Sequence, residues 1–134
     1  MIVYILPGDP IPLARARISG RRCYDSQTQE KLYLRQFLVN QHNDCPKYTG
    51  PLHLIATFFM GMPLRAGKHI EGKPHRFRPD LDNLLKWVCD ISNGILYDDD
   101  CIISKITCNK IYDKTARTEF HFEPLEDHGK TGIE

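Results

Sequence analysis

The hydrophobic positions of the chain change their period several times, and these changes predict where strands and helices lie. Residues 2–6 form a short β-branched run that a Pro-Gly pair ends, which predicts a first strand. Residues 52–60 are apolar on both alternating faces with few exceptions, which indicates an interior strand covered on both sides. Residues 102–112 and 117–123 alternate in polarity, and we expect them to form a hairpin.

Two further segments have the three- and four-residue spacing of helices. The first begins at Ser26, where Gln29 completes a capping box, and it ends near residues 43–46. The second runs from residue 80 or 82 to residue 93, and its apolar side chains would bury one face. Between these helices lies the predicted interior strand, followed by a long connection over residues 61–79 that has no period.

This order of elements predicts an α+β fold in one small domain, with a mixed β-sheet of about four strands packed by two main helices. The length of 134 residues, with 41% apolar and 26% charged side chains, is typical of one ordinary globular domain. The domain would span residues 1–125, and residues 126–134 would form a polar tail. No apolar run reaches the roughly 20 residues of a membrane helix, and the start does not resemble a signal peptide. We therefore expect a cytoplasmic protein that has no contact with membranes.

The net charge of +1 conceals an uneven distribution of charge along the chain. Residues 1–79 hold 12 Lys and Arg against 5 Asp and Glu, whereas residues 80–134 hold 6 against 12. A basic half could follow a polyanion while an acidic half holds a metal ion. The two halves could equally neutralise each other across the fold, and charge alone does not choose between these interpretations.

The basic residues concentrate in two connections. One is the proline-containing stretch of residues 8–24, which we read as a loop; its arginines suit phosphate oxygens, although a solvated loop is the slightly favoured interpretation. The other is the connection 61–79, which we expect to lie against nucleic acid because it is basic and leads directly into the acidic second helix. The candidate DNA-binding residues are Arg15, Arg17, Arg65, Lys68, Lys73, Arg76 and Arg78.

The acidic residues of the second half are crowded into a short stretch. Asp80 and Asp82 begin the second predicted helix, and Lys86 follows one turn later. Helix capping and an i,i+4 ion pair would explain these three residues by themselves. They would not explain the triplet of residues 98–100, because carboxylates close together repel unless a cation lies among them. Mg²⁺ is the natural candidate, since it binds carboxylate oxygens and retains waters for a phosphate substrate.

Chain geometry allows the two acidic groups to meet. A helix from residue 82 to residue 93 advances about 18 Å at 1.5 Å per residue, and Gly94 can reverse the chain. Six extended residues then return about 20 Å. Asp99 or Asp100 would thus lie level with Asp80 and Asp82, and a helix with its return strand would build a carboxylate cage.

The motifs resemble a known family. PDLDNLLKWVCD, then NGILYDDD and a strand ending in KIY resemble the core of the RusA-like Holliday junction resolvases of bacteria and their phages, and GDPIPLARAR resembles their proline- and arginine-rich loop. The family pattern has an acidic pair where this chain has a triplet. The chain also has Leu13 where the family often has lysine and Ala16 where it has proline.

The resemblance implies a homodimeric, Mg²⁺-dependent endonuclease that cuts four-way DNA junctions with paired nicks, with Mn²⁺ as a substitute metal. It implies that Asp80, Asp82 and Asp100 are catalytic, with Lys86 as the catalytic lysine. Asp80, Asp82, Asp99 and Asp100 would be metal ligands. Aligning the strand by Lys110 favours Asp100 as the third acid, and a one-residue shift would choose Asp99. The alternatives are a non-catalytic DNA-binding module and a nuclease that acts on flaps or other branched DNA.

Overall fold

The computed structural model describes residues 1–14, 17–20, 22–24 and 26–126. Arg15, a candidate DNA-binding residue, and residues 127–134 of the predicted tail lie outside these ranges. Within them, the chain forms strands, α-helices and two short 3₁₀ turns. In chain order they are β1 (Tyr4–Pro7), β2 (Arg17–Ser19), β3 (Arg22–Tyr24), α1 (Thr28–His42), β4 (Leu52–Gly61), the 3₁₀ turn Lys68–Ile70, α2 (Leu81–Ser92), the 3₁₀ turn Asp100–Ile102, β5 (Ile103–Asp113) and β6 (Arg117–Pro124).

Four strands form one mixed sheet in the order β1-β6-β4-β5. Strand β6 runs antiparallel to both of its neighbours, whereas β5 runs parallel to β4. The predicted α+β fold with a four-stranded mixed sheet and two main helices is therefore confirmed. The stretch 8–24, read as a loop from the sequence, also contains a small antiparallel ribbon of β2 and β3. Gly20, with φ of +64°, lies at its turn, a backbone conformation that suits glycine.

The predicted hairpin of the last two strands is wrong. Strand β4 lies between β5 and β6, so these two strands are antiparallel without being neighbours. The turn that joins them crosses the end of β4 at Gly61, which is paired with Asp113 and lies near Ala116. The physical reason is that β4 is the most apolar strand, and the centre of the sheet is where it loses the most water-exposed surface.

The core lies on one face of this sheet. Alternate residues of β4, including Leu54, Ala56 and Phe58, are buried in a single cluster with side chains of both helices. The intervening residues of β4 are only partly buried, so the expectation that both faces are covered is wrong. Among them is His53, which bonds the Thr107 hydroxyl at 2.8 Å on the open face.

The two helices follow the predicted spacing but differ at their starts. Helix α1 begins at Thr28 rather than Ser26, and the predicted capping box is absent because the N-cap residue is Gln27, which makes no side-chain capping bond. The Gln27 amide instead bonds the loop before it, donating to the Pro12 carbonyl at 2.9 Å and accepting from the Ala14 amide at 2.8 Å. Helix α2 ends as predicted near Gly94, whose φ is +81°. Across the described ranges, no helix has both the length and the apolar character needed to span a membrane.

Candidate active site

The N-terminus of α2 carries the first acidic group. Asp80 is the N-cap residue, yet its carboxylate makes no capping hydrogen bond. Asp82 and Lys86 lie one turn apart, but their closest N–O distance is 4.0 Å and both side chains are mostly exposed. Such a contact is worth little in water. Helix capping and ion pairing, which could explain these three residues from the sequence, therefore explain little of their presence in the structure.

The three consecutive aspartates divide among three different surroundings. Asp98 forms a 3.0 Å salt bridge with Lys47 on the surface. Asp99 caps the 3₁₀ turn and accepts a 3.1 Å hydrogen bond from the Cys101 amide. Hydrogen bonding from the Cys101 thiol, and then from its amide, lowers the pKa of Asp99. Asp100 turns towards α2 and lines a cleft there.

This cleft brings parts of the two acidic groups together. It has a volume of about 420 Å³ and is lined by both apolar and charged side chains. Its lining residues are Leu13, Asp82, Leu85, Lys86, Cys89, Asp90, Asp100, Ile103 and Ile106. Asp80 and Asp99 do not line it. The loop that supplies Leu13 is held in place by the Leu13 amide, which donates to the Asn83 carbonyl at 3.0 Å.

Two other polar side chains of the cleft, Asp90 and Cys89, are poor candidates for a catalytic role. The first has an ion-pair partner and the second is protonated. Asp90 forms a 2.9 Å salt bridge with Lys31 of α1. Burial, followed by the negative charge of Asp100, raises the pKa of Cys89 to about 12. Cys89 is therefore a neutral thiol at pH 7 and does not act as a thiolate nucleophile. Among the described residues, the side chain of Asp100 has no hydrogen-bond or salt-bridge partner.

The predicted return strand is absent, and the acids do not form a closed cage. Residues 94–99 form compact turns, in which the Gly94 amide bonds the Tyr97 carbonyl at 2.7 Å and Tyr97 is fully buried. The Tyr97 hydroxyl donates to the Cys89 carbonyl of α2 at 3.2 Å, so the chain stays against the helix instead of extending. In the part of the chain that the structure describes, no group of three or more His, Cys, Asp or Glu side chains is close enough to hold a metal ion.

The donor set nevertheless suits a hard divalent cation. Asp82 and Asp100 supply carboxylate oxygens to one cleft, and Asp80 adds a carboxylate that its N-cap position does not engage. Oxygen ligands of this kind favour Mg²⁺ or Mn²⁺ over softer metals. By the chemistry of its ligands, the site fits such an ion.

The basic connection 61–79 is held along the free edge of β5. The Gly72 amide donates to the Tyr112 carbonyl at 2.8 Å, and the Tyr112 amide donates to the Lys73 carbonyl at 3.0 Å. The His75 amide then donates to the Lys110 carbonyl at 3.0 Å. This pairing directs the connection along β5 towards the first acid of α2.

Lys110 fastens the end of the connection. Its ammonium group donates to the carbonyl oxygens of Phe77 and Pro79, each at 2.7 Å, immediately before Asp80. From the sequence, Lys110 served only to align the strand, and this role was missed. The signal that could have revealed it is its position on β5, on the helix-facing side between Cys108 and Tyr112, where a lysine needs acceptors.

The five candidate DNA-binding residues of the connection have exposed side chains. They are Arg65, Lys68, Lys73, Arg76 and Arg78. Lys114 of the turn between β5 and β6, which the sequence analysis did not single out, lines a shallow pocket together with Lys68. Arg17 lies in β2 of the ribbon. Exposed cationic groups therefore follow the connection that leads to Asp80, as contact with a polyanion requires.

An exposed basic connection that leads into a group of acidic side chains suits a nuclease, because cations can contact phosphates while carboxylates can hold a metal ion. Residues 7–123 match the family model described as Endodeoxyribonuclease RusA, and the chain belongs to the RusA family. The chain is also 24% identical over 131 residues to the uncharacterized protein YqaN of Bacillus subtilis (strain 168), a match that covers 88% of this chain and 92% of that protein. The chain is thus an endodeoxyribonuclease of the Holliday junction resolvase type. RusA-type nucleases generally depend on a divalent metal ion.

Proposed function

We propose that this protein resolves Holliday junctions by paired symmetric nicks, as a homodimer that uses Mg²⁺. The observation that carries the proposal is the division of the acid triplet. Asp98 and Asp99 are engaged by Lys47 and by the 3₁₀ turn, whereas Asp100 lies in one cleft with Asp82 and Lys86. Phosphodiester hydrolysis requires carboxylates that are free to bind a metal ion, and Asp100 lies beside a second acid and a lysine.

The proposed chemistry assigns a separate role to each side chain. Asp80, Asp82 and Asp100 would hold the metal ion, with Asp99 as a further ligand if its capping bond opens. When bound, Mg²⁺ supplies an activated water and neutralises charge on the attacked phosphate. Lys86, which lines the cleft and is mostly exposed, would donate a hydrogen bond to a phosphate oxygen or orient the attacking water.

DNA binding would depend on the basic connection and on the arginines of the first loop. Arg15, Arg17 and the exposed cations of residues 61–79 would contact phosphates, so affinity should fall steeply as salt rises. Phosphate contacts carry no information about base sequence, and therefore selection of the four-way junction would come from its shape. Two matched cuts need two sites in fixed relation, which a symmetric dimer supplies.

The test is cleavage of a synthetic four-way junction in Mg²⁺, compared with a flap and a linear duplex of the same sequence. We expect paired nicks in the junction, little cleavage of the duplex, and loss of cleavage by at least about 100-fold in Asp82→Asn. Asp98→Asn is the matched control, because it removes an acid of the same stretch that is paired with Lys47. Full activity of Asp82→Asn would contradict the assigned site. Faster cleavage of flaps than of junctions would keep the nuclease and reject the proposed substrate.

A further inference from the structure

Phe77 is an exposed aromatic side chain at the entrance to the acidic site. It is 58% exposed and stands three residues before Asp80, which places the two Cα atoms no more than about 11 Å apart. A single exposed apolar side chain is ordinary on a protein surface, so a ligand is indicated only by what surrounds this one. The other large exposed apolar side chain of the basic connection is Leu64, which lies 13 residues earlier in the chain.

The backbone that carries this ring is fixed although the ring is not buried. The Phe77 carbonyl accepts the 2.7 Å hydrogen bond from Lys110, and the same lysine holds Pro79. The His75 ring contacts the edge of the Phe77 ring, with centroids 6.1 Å apart and planes at 82°. A side chain held in this way loses little conformational freedom when it binds a ligand.

The surroundings of the ring select a flat, anionic partner. The Arg76 guanidinium lies 5.1 Å from the Phe77 ring centroid, and Arg78 follows directly in the chain. An aromatic surface between two cations is the combination with which proteins bind single-stranded nucleic acid, since the cations contact phosphates while the ring stacks on a base. In a continuous duplex both faces of every base are covered, so the ring has nothing to stack on.

We propose that Phe77 stacks on an unstacked nucleobase at the branch point of the DNA, within about three nucleotide steps of the phosphate that is cut. Resting on the proposed function, this contact would favour branched over linear DNA while accepting any base, because every base has a π-face. A Phe77 ring buried against a second copy of this chain is the competing arrangement.

The experiment uses the full chain with the Asp82→Asn change, which should bind without cutting, and a four-way junction that carries 2-aminopurine at the branch point. Phe77→Ala and Phe77→Leu should weaken junction binding by about 5- to 150-fold and abolish the change in 2-aminopurine fluorescence on binding. Phe77→Trp should restore both. Leu64→Ala is the matched control and should bind as the parent does, and binding to linear duplex should change little in all four.

Three results would overturn the proposal. The first is an intact fluorescence response in Phe77→Ala. The second is equal binding by Phe77→Leu and Phe77→Trp, which would indicate apolar contact without stacking. The third is conversion of a dimer to a monomer by Phe77→Ala in light scattering, which would assign the ring to the subunit interface. Failure of the proposed function is separate, since it would appear as no cleavage of branched DNA by the unaltered protein while the fluorescence response persists.

Discussion

Replacing Lys110 by methionine is the change that best tests how the fold controls the site. Methionine keeps much of the length of the side chain but removes both hydrogen bonds to the carbonyls of Phe77 and Pro79. Lys110 lies far from the acids in sequence and is not itself a proposed ligand. Its loss should therefore act through the position of Asp80 and not through the chemistry itself.

The magnitude follows from the two bonds. A hydrogen bond from a charged donor contributes about 1.5–3 kcal/mol, and here the partial exposure of the lysine lets water replace part of each, so about 2 kcal/mol in total is reasonable. If that energy holds Asp80 in its working position, its loss lowers kcat/KM by about 30-fold. The Mg²⁺ concentration for half-maximal rate should rise, because Asp80 is a proposed ligand.

The assay is junction cleavage at several Mg²⁺ concentrations, at a temperature where circular dichroism shows both proteins folded. Lys105→Met is the matched control, since Lys105 is an exposed lysine on the same strand β5, paired with His53 of the open face. The salt dependence of junction binding should be the same in Lys110→Met as in the unaltered protein. A normal rate and a normal metal requirement would show that Lys110 does nothing for the site. A salt dependence lowered by about one phosphate contact would show that Lys110 itself binds DNA.

Three further predictions address the acids, the pH response and the core. Asp100→Asn should reduce the cleavage rate by at least about 100-fold and Asp99→Asn by less than about 10-fold, and the reverse order in a cleavage assay would choose the other acid. Burial, and then the charge of Lys110, lowers the pKa of His75 in the folded protein. The unfolded chain therefore takes up a proton at His75 before the folded protein does, and stability is lost as the pH falls below about 6.5. Urea unfolding of His75→Phe should therefore lose less stability between pH 7 and pH 5 than the unaltered protein, and equal losses would contradict the argument. Leu54→Ala, at a fully buried position of β4, should lower the free energy of unfolding by about 2–5 kcal/mol, and a loss below 1 kcal/mol would show that the core collapses around the cavity.

Local patterns predicted the helices and strands well because their signals lie within a few residues of one another. The apolar spacing of α2 buries Leu84, Val88 and Ile91, and Gly94 reverses the chain where the helix ends. The capping box of α1 failed because Gln27 bonds the loop before the helix, and Pro12 lies 15 residues away from it. A contact of that kind leaves no mark on the sequence around the helix start.

The acid triplet shows the same limit at the site. Spacing alone left Asp99 and Asp100 open, because adjacent residues of an extended strand differ only in the face to which they point. The chain instead makes a 3₁₀ turn at this place, which engages Asp99 with Cys101 and turns Asp100 towards α2. Tyr97, shortly before this turn, is fully buried, and burial is decided by the whole fold.

The incorrect hairpin matters for the site because it concerns the edge of β5. A hairpin at the end of the sheet would have given β5 the neighbour β6, whereas the observed order gives it β4 and leaves its other edge free. That edge is where the connection before α2 pairs, through Lys73 and His75, and it is where Lys110 reaches the carbonyls before Asp80. The same strand begins directly after the 3₁₀ turn that presents Asp100. One edge strand therefore fixes both acidic groups, and a shift of β5 along β4 would move Asp100 and Asp80 together.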